Sequence, residues 1–178
     1  MKKLKTLGIT LLVAVFSVTM VTAQSAKDKE IIRDAEKAKT ALLEKDPGLK
    51  EFFASSAGYV IFPNVGKGGF IIGAAAGNGV VYQNGKIIGM ADLKKINVGL
   101  QAGGQAITEV IFFKTDADLA AFKNEEFEFS AEASAVAVKS GQAVNAKYED
   151  GVAVFAMPKA GLMADASVGG QKFDYESF

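Results

Sequence analysis

Four glutamates close together, Glu125, Glu126, Glu128 and Glu132, are the residues of this chain whose type and spacing come nearest to catalysis. Paired carboxylates can act as acid and base in glycoside hydrolysis or hold a hard cation. The stretch from Phe127 to Val138 alternates strictly, however. Phe127, Phe129, Ala131, Ala133, Ala135 and Ala137 share one face, and Glu128, Ser130, Glu132 and Ser134 the other. Glutamates on the polar face of a half-buried strand need no catalytic role, so a solvated face is the better reading. With no Cys and no His in the chain, thiolate nucleophiles, imidazole triads, imidazole metal ligands and disulfides are excluded by inventory. No catalytic residue, metal site or cofactor is assigned.

The basic residues offer a different chemistry. Lys29, Arg33 and Lys37 recur at i, i+4 and form a like-charged ridge that an anionic partner would relieve, although Glu30, Glu36 and Glu44 lie beside it and ordinary surface charge is the plainer account. Val65-Gly66-Lys67-Gly68-Gly69 superficially resembles a phosphate loop, but no Ser or Thr follows the lysine, the spacing is wrong, and a strand comes next. The same lysine takes part in a faint repeat. Gly58-Tyr59-Val60-Ile61-Phe62 matches Gly151-Val152-Ala153-Val154-Phe155, and Lys67-Gly68-Gly69-Phe70 then matches Lys159-Ala160-Gly161-Leu162. If a two-fold axis relates the repeats, two basic turns, Lys67 with Gly68 and Gly69 and Lys159 beside Gly161, meet on one edge and suit a phosphate headgroup. On the residues alone, solvated turn lysines remain the simpler reading.

The elements that must position these residues begin with a helix over Ala26 to Lys45, where Ile31, Ala35, Ala38 and Leu42 share one face. Asp46-Pro47 predicts an N-cap and first helical position for a short second helix through Leu49, Phe52 and Phe53. From Ala57 onward the language is strand and turn. Asn84-Gly85 predicts a type I′ hairpin between Val80–Gln83 and Lys86–Met90. Thr115 and Asp118 predict a capping box opening a helix through Leu119, Ala120 and Phe122, and Asp150-Gly151 and Gly169-Gly170 predict two further turns. The expected fold is α+β: N-terminal helices packed on a mostly antiparallel sheet rich in glycine and alanine, strongly curled and barrel-like.

Residues 1–23 read as a cleavable signal peptide. Lys2, Lys3 and Lys5 precede an apolar stretch from Leu7 to Val21, and Val21-Thr22-Ala23 presents small residues to a signal peptidase. About 15 residues of helix span ~22 Å, short of a ~30 Å hydrocarbon core. Residues 24–178 then form one domain with 17 basic and 20 acidic residues, a net charge of −3 that gives no reason to expect nucleic acid. Lacking a cysteine to acylate, the mature chain is expected free in the periplasm or secreted.

At Ala57-Gly58-Tyr59-Val60-Ile61-Phe62-Pro63-Asn64-Val65-Gly66-Lys67-Gly68-Gly69-Phe70 the chain resembles the SYLF lipid-binding domain family, and the likeness continues through Gly77-Asn78-Gly79, Gly99–Gln105 and Lys159–Leu162. The resemblance implies a non-enzymatic domain that engages phospholipid or a membrane surface, with phosphoinositide and actin binding in eukaryotic and fungal members. Export would keep this chain from actin. Residues 24–50 carry seven basic and six acidic residues, so docking of that segment by charge alone should be weak. The alternative is a structural or protein-interaction module of the envelope with no lipid ligand.

Overall fold

The computed structural model describes residues 25–124 and 136–178; the expected signal peptide at residues 1–23 and the glutamates at 125, 126, 128 and 132 lie outside them. Helix α1 (Ser25–Lys45) and the short α2 (Leu49–Ser55) precede strands β1 (Gly58–Gln83) and β2 (Lys86–Phe113). Helix α3 (Asp116–Lys123), the two-residue strand β3 (Val136–Ala137), a 3-10 turn at Ala143–Asn145 and strand β4 (Val152–Ser177) follow. Among the described residues the sheet order is β1-β2-β4-β3, antiparallel except for β3, which runs parallel to β4.

The α+β class and the mostly antiparallel sheet are as expected, but barrel-like closure is not found. In that strand order β1 pairs only with β2, so the sheet is bent and stays open. The bend is set in β1. Its register against β2 slips between Phe70 and Ile72, and Ile71 takes a positive φ of 66°. The two arms of β1 then lie against each other so closely that a Cβ on Gly79 would stand 2.6 Å from the Phe62 ring and 2.9 Å from the Ile61 carbonyl oxygen. Gly77 and Gly79 are thus explained by close approach of the strand's own arms. β2 and β4 follow the bend, since Phe62 on the first arm of β1 meets Phe173 near the end of β4 at 5.9 Å between ring centroids.

Strand alternation builds two cores. Val60, Phe62, Val65, Ile111 and Phe113 face one way, where Leu119 and Phe122 of α3 cover them. Tyr59, Ile61, Val110, Phe112 and Phe155 face the other, under Ala35, Ala38 and Leu42 of α1 and Leu49 and Phe52 of α2. Each fully buried aromatic or aliphatic side chain contributes roughly 1.5–3 kcal/mol. The repeat is visible here: Gly58–Phe62 and Val152–Phe155 flank the same stretch of β2. The matched Phe62 and Phe155 lie in opposite cores, as a two-fold axis along β2 requires.

Local signals were obeyed where their partners are local. Asn84 and Gly85 have φ of 52° and 73°, and Asp150 and Gly151 have 46° and 83°, both turns of the primed kind. The Thr115 hydroxyl accepts from the Asp118 N–H while the Asp118 carboxylate accepts from the Thr115 N–H, completing the capping box. Gly85→Val is expected to cost more than about 1 kcal/mol, because a β-branched residue resists positive φ; urea denaturation with an unchanged midpoint would contradict this.

Two expectations are corrected. Gly169-Gly170 is no turn: both residues pair within β4, opposite Asn97 and Ile96. Asp46 does not cap α2, which starts after Gly48. Its buried carboxylate instead accepts from the Gly48 N–H at 3.0 Å and from the Ala143 N–H at 2.8 Å, tying together segments 97 residues apart. Burial alone would raise its pKa, but the backbone donors of Ala143, Gly48, Gly141 and Gln142 outweigh that and hold it below the usual value.

Candidate functional site

The bend of the sheet forms a tip with an unusual surface. Phe70, Ile71, Ile72 and Ile96 are 75, 55, 65 and 68% exposed. Ile96 sits opposite Ala74, two residues along the ladder from Ile72, so the four form one apolar cap. Its chemistry is not what the backbone asks for. A left-handed φ at a β-branched residue costs on the order of 1–3 kcal/mol, and glycine would hold the corner without that strain. Glycines stand close by at 68, 69 and 73, yet the apex keeps Phe-Ile-Ile. Folding gains little from exposed side chains, so their retention points to contact with something else.

Lysines stand immediately behind the cap. Lys67 and Lys95 are half-buried and Lys94 is exposed, its Nζ 2.6 Å from the Asp174 carboxylate. Between the sheet's arms, Lys67 and Lys95 share a cavity of about 70 Å³ with Glu109, Gln171, Val65, Ala75 and Leu93. Glu109 is only 4% exposed. The Gln171 side-chain amide donates to its Oε1 at 3.4 Å. Burial pushes the Glu109 carboxyl upward, while Lys95, Lys67 and the Gln171 hydrogen bond pull the other way; the net shift is upward. Sequence reasoning passed over this residue. The available signal was a single acid inside the apolar run Ile107-Thr108-Glu109-Val110-Ile111.

The expected site residues fall in three places. Lys67, Gly68 and Gly69 lie inside β1, opposite Gln105, Gly104 and Gly103, and Lys159 lies inside β4, so neither basic segment is a turn. In an extended strand successive N–H groups point to opposite sides, so neither segment gathers neighbouring N–H donors on one anion as a phosphate-binding turn would. Nor do the two lysines converge: Lys67 lines the Glu109 cavity, whereas the exposed Lys159 donates to the Pro63 carbonyl at 3.2 Å and to the Asn64 side-chain oxygen. Lys29, Arg33 and Lys37 are exposed on α1, whose other face packs on β1 around Tyr59 and Tyr82. Their like charges are offset by Glu30, 3.8 Å from Arg33, and by Asp34, 3.6 Å from Lys37.

A larger cleft of about 380 Å³ opens where α1 meets the sheet, lined by Lys27, Asp28, Asn78, Asp92 and Asp174. Asn78 donates to Asp92 there, and Asp174 is held by Lys94, so its polar groups are largely paired within the fold. Among the described residues no group of three or more Asp or Glu side chains is placed to hold a metal ion. No described helix is long and apolar enough to cross a membrane.

Residues 94–177 match the family model Ysc84, described as "Las17-binding protein actin regulator". The protein named Beta cell expansion factor A, from Aeromonas veronii, is 30% identical over 158 residues, which cover 86% of this chain and 60% of that protein. The chain thus spans less than two thirds of that relative's length.

Proposed function

We propose, on the premise that this chain belongs to the SYLF (Ysc84) family, that it is an exported, non-enzymatic domain that docks on phospholipid headgroups at a membrane surface of the cell envelope. The observation that carries this reading is the tip: Phe70, Ile71, Ile72 and Ile96 exposed together, with Lys67, Lys94 and Lys95 directly behind them. Apolar side chains backed by ammonium groups suit the boundary between acyl chains and phosphates. The periplasmic or secreted location rests on the basic, apolar and small-residue order of the first 23 residues. It also argues against actin as a partner, despite the family's description.

Charge reversal tests the reading. The Lys67→Glu, Lys159→Glu double variant is expected to bind anionic vesicles at least about tenfold more weakly than wild type, at ~1 kcal/mol per lysine near the surface. Lys67, beside the tip, should carry most of the loss, and the difference should shrink as salt rises. Co-sedimentation measures the binding, and circular dichroism checks the fold. Equal binding at low salt would remove Lys67 and Lys159 from the site. Mass spectrometry of protein from its own host that finds no phospholipid would favour the module without a lipid ligand.

A further inference from the structure

We propose that the cleft between α2 and the segment from Ala143 to Tyr148 binds a small monocarboxylate with an apolar body, its anionic group received by Lys114, Lys147 and the Tyr148 hydroxyl. The cleft holds about 420 Å³, within the range that takes a small ligand. Phe52, Ala143 and Val144 supply apolar lining. Val144 is 74% exposed, and the Phe52 ring meets that of Tyr148 at 5.4 Å between centroids. The two walls are tied together, because the Asp46 carboxylate accepts from the N–H of Gly48, just before α2, and from the N–H of Ala143, at the start of the 3-10 turn. A cleft between elements joined in this way exists before a ligand arrives.

The polar groups of the cleft are left over by the fold. Lys114 and Lys147 are exposed, and neither ammonium is paired with a described side chain. The Tyr148 hydroxyl oxygen is buried with no hydrogen-bond partner among the described residues. Ser55 is near it, but the Ser55 hydroxyl donates to the Glu51 carbonyl oxygen at 2.8 Å. A buried donor without an acceptor is costly to a fold, so its retention points to an acceptor from outside the chain. Burial raises the Tyr148 pKa above its ordinary value and Glu51 adds to this, against a lowering by Ser55; the hydroxyl therefore keeps its proton at neutral pH and meets an anion as a donor. The oxygen is shielded from bulk water, and a ligand reaches it by turning aside an exposed neighbour such as Ser55, a motion of picoseconds to nanoseconds. Glu51 also lines the cleft and offsets one lysine, and the net charge of +1 that remains suits one carboxylate better than a doubly charged phosphate.

The cleft and the apolar tip lie at opposite ends of the sheet. Lys114 follows Phe113, which pairs with Gly58 at the start of β1, whereas the tip is at the bend around Ile71. A protein docked by its tip keeps the cleft away from the membrane, so the carboxylate is a dissolved small molecule. The inference does not depend on the docking reading.

The test is calorimetric titration of the protein with octanoate and 3-phenylpropanoate, and with the uncharged amide of each. At least one of the acids is expected to bind saturably, one per chain, and about tenfold or more tightly than its amide. Tyr148→Phe should weaken that binding by about tenfold, and Lys114→Met and Lys147→Met by about fivefold each, the lysine effects fading as salt rises. Losing an orphaned hydroxyl should leave the Tm of the unliganded protein unchanged or raised, so the weaker binding of Tyr148→Phe reads as a lost contact. The Phe70→Ser, Ile72→Ser variant should bind the acid as wild type does, which separates the cleft from the apolar tip. Failure of both acids to bind, equal binding of acid and amide, wild-type affinity in Tyr148→Phe, or loss of binding in the tip variant would each overturn the site. A lower Tm in Tyr148→Phe would show that the fold itself uses the hydroxyl, and would overturn it as well.

Discussion

Serine at both Phe70 and Ile72 is expected to weaken binding to anionic vesicles by about 100-fold or more while leaving the melting temperature unchanged. Each of these side chains, moved from water into an acyl environment, is worth roughly 1.5–3 kcal/mol, so the pair supplies about 3 kcal/mol or more. At 1.4 kcal/mol for each factor of ten, this exceeds two orders of magnitude. The effect should persist at high salt, which separates it from that of the lysines, because apolar transfer is not screened. Stability should not suffer, since both side chains are at least 65% exposed and make little of the core. Binding within threefold of wild type would show that the tip does not enter the membrane, and the apolar cap would then require another partner.

The largest expected loss of stability comes from Phe112→Ala. Phe112 is fully buried at the centre of the core under α1 and α2. Its ring meets Phe53 at 4.8 Å, Phe52 at 5.4 Å, Phe155 at 5.8 Å and Tyr59 at 5.9 Å between centroids. One β2 side chain thus joins α2 to both flanking strands, β1 and β4. Truncating a buried Phe costs about 3–5 kcal/mol, transfer and cavity together. For a domain of this size that is a fall in Tm on the order of 10 °C. Calorimetry showing a fall of under about 3 °C would mean that this face is not packed as described. The same replacement at Phe70 should barely move the Tm, and the contrast between the two phenylalanines is the sharper test.

The sequence by itself determined those features whose physical cause lies within a few residues. The apolar face of α1 follows from Ala35, Ala38 and Leu42 at helical spacing, and all three are buried. The turn at Asn84-Gly85 follows from two residues that accept positive φ, and the start of α3 from the reciprocal bonds of Thr115 and Asp118. The resemblance to the SYLF family was also legible, because the Gly, Phe, Pro and Lys pattern that carries it at 57–70 is a linear one. Tertiary structure decided everything that depends on distant partners. A glycine reads alike in a turn and in a strand packed closely under another, so Lys67-Gly68-Gly69 and Gly169-Gly170 looked like turns until the ladder of β2 fixed their register. Asp46 looked like a cap until Ala143 supplied a donor from the far end of the chain. Glu109 looked like one more strand residue. Its burial and the lysines beside it exist only because three long strands bend at a strained Ile71, bringing positions 67, 95, 109 and 171 around one cavity. Sequence patterns record the preferences of a residue for its neighbours in the chain, and a buried charge is defined by neighbours that the chain reaches only after it has folded.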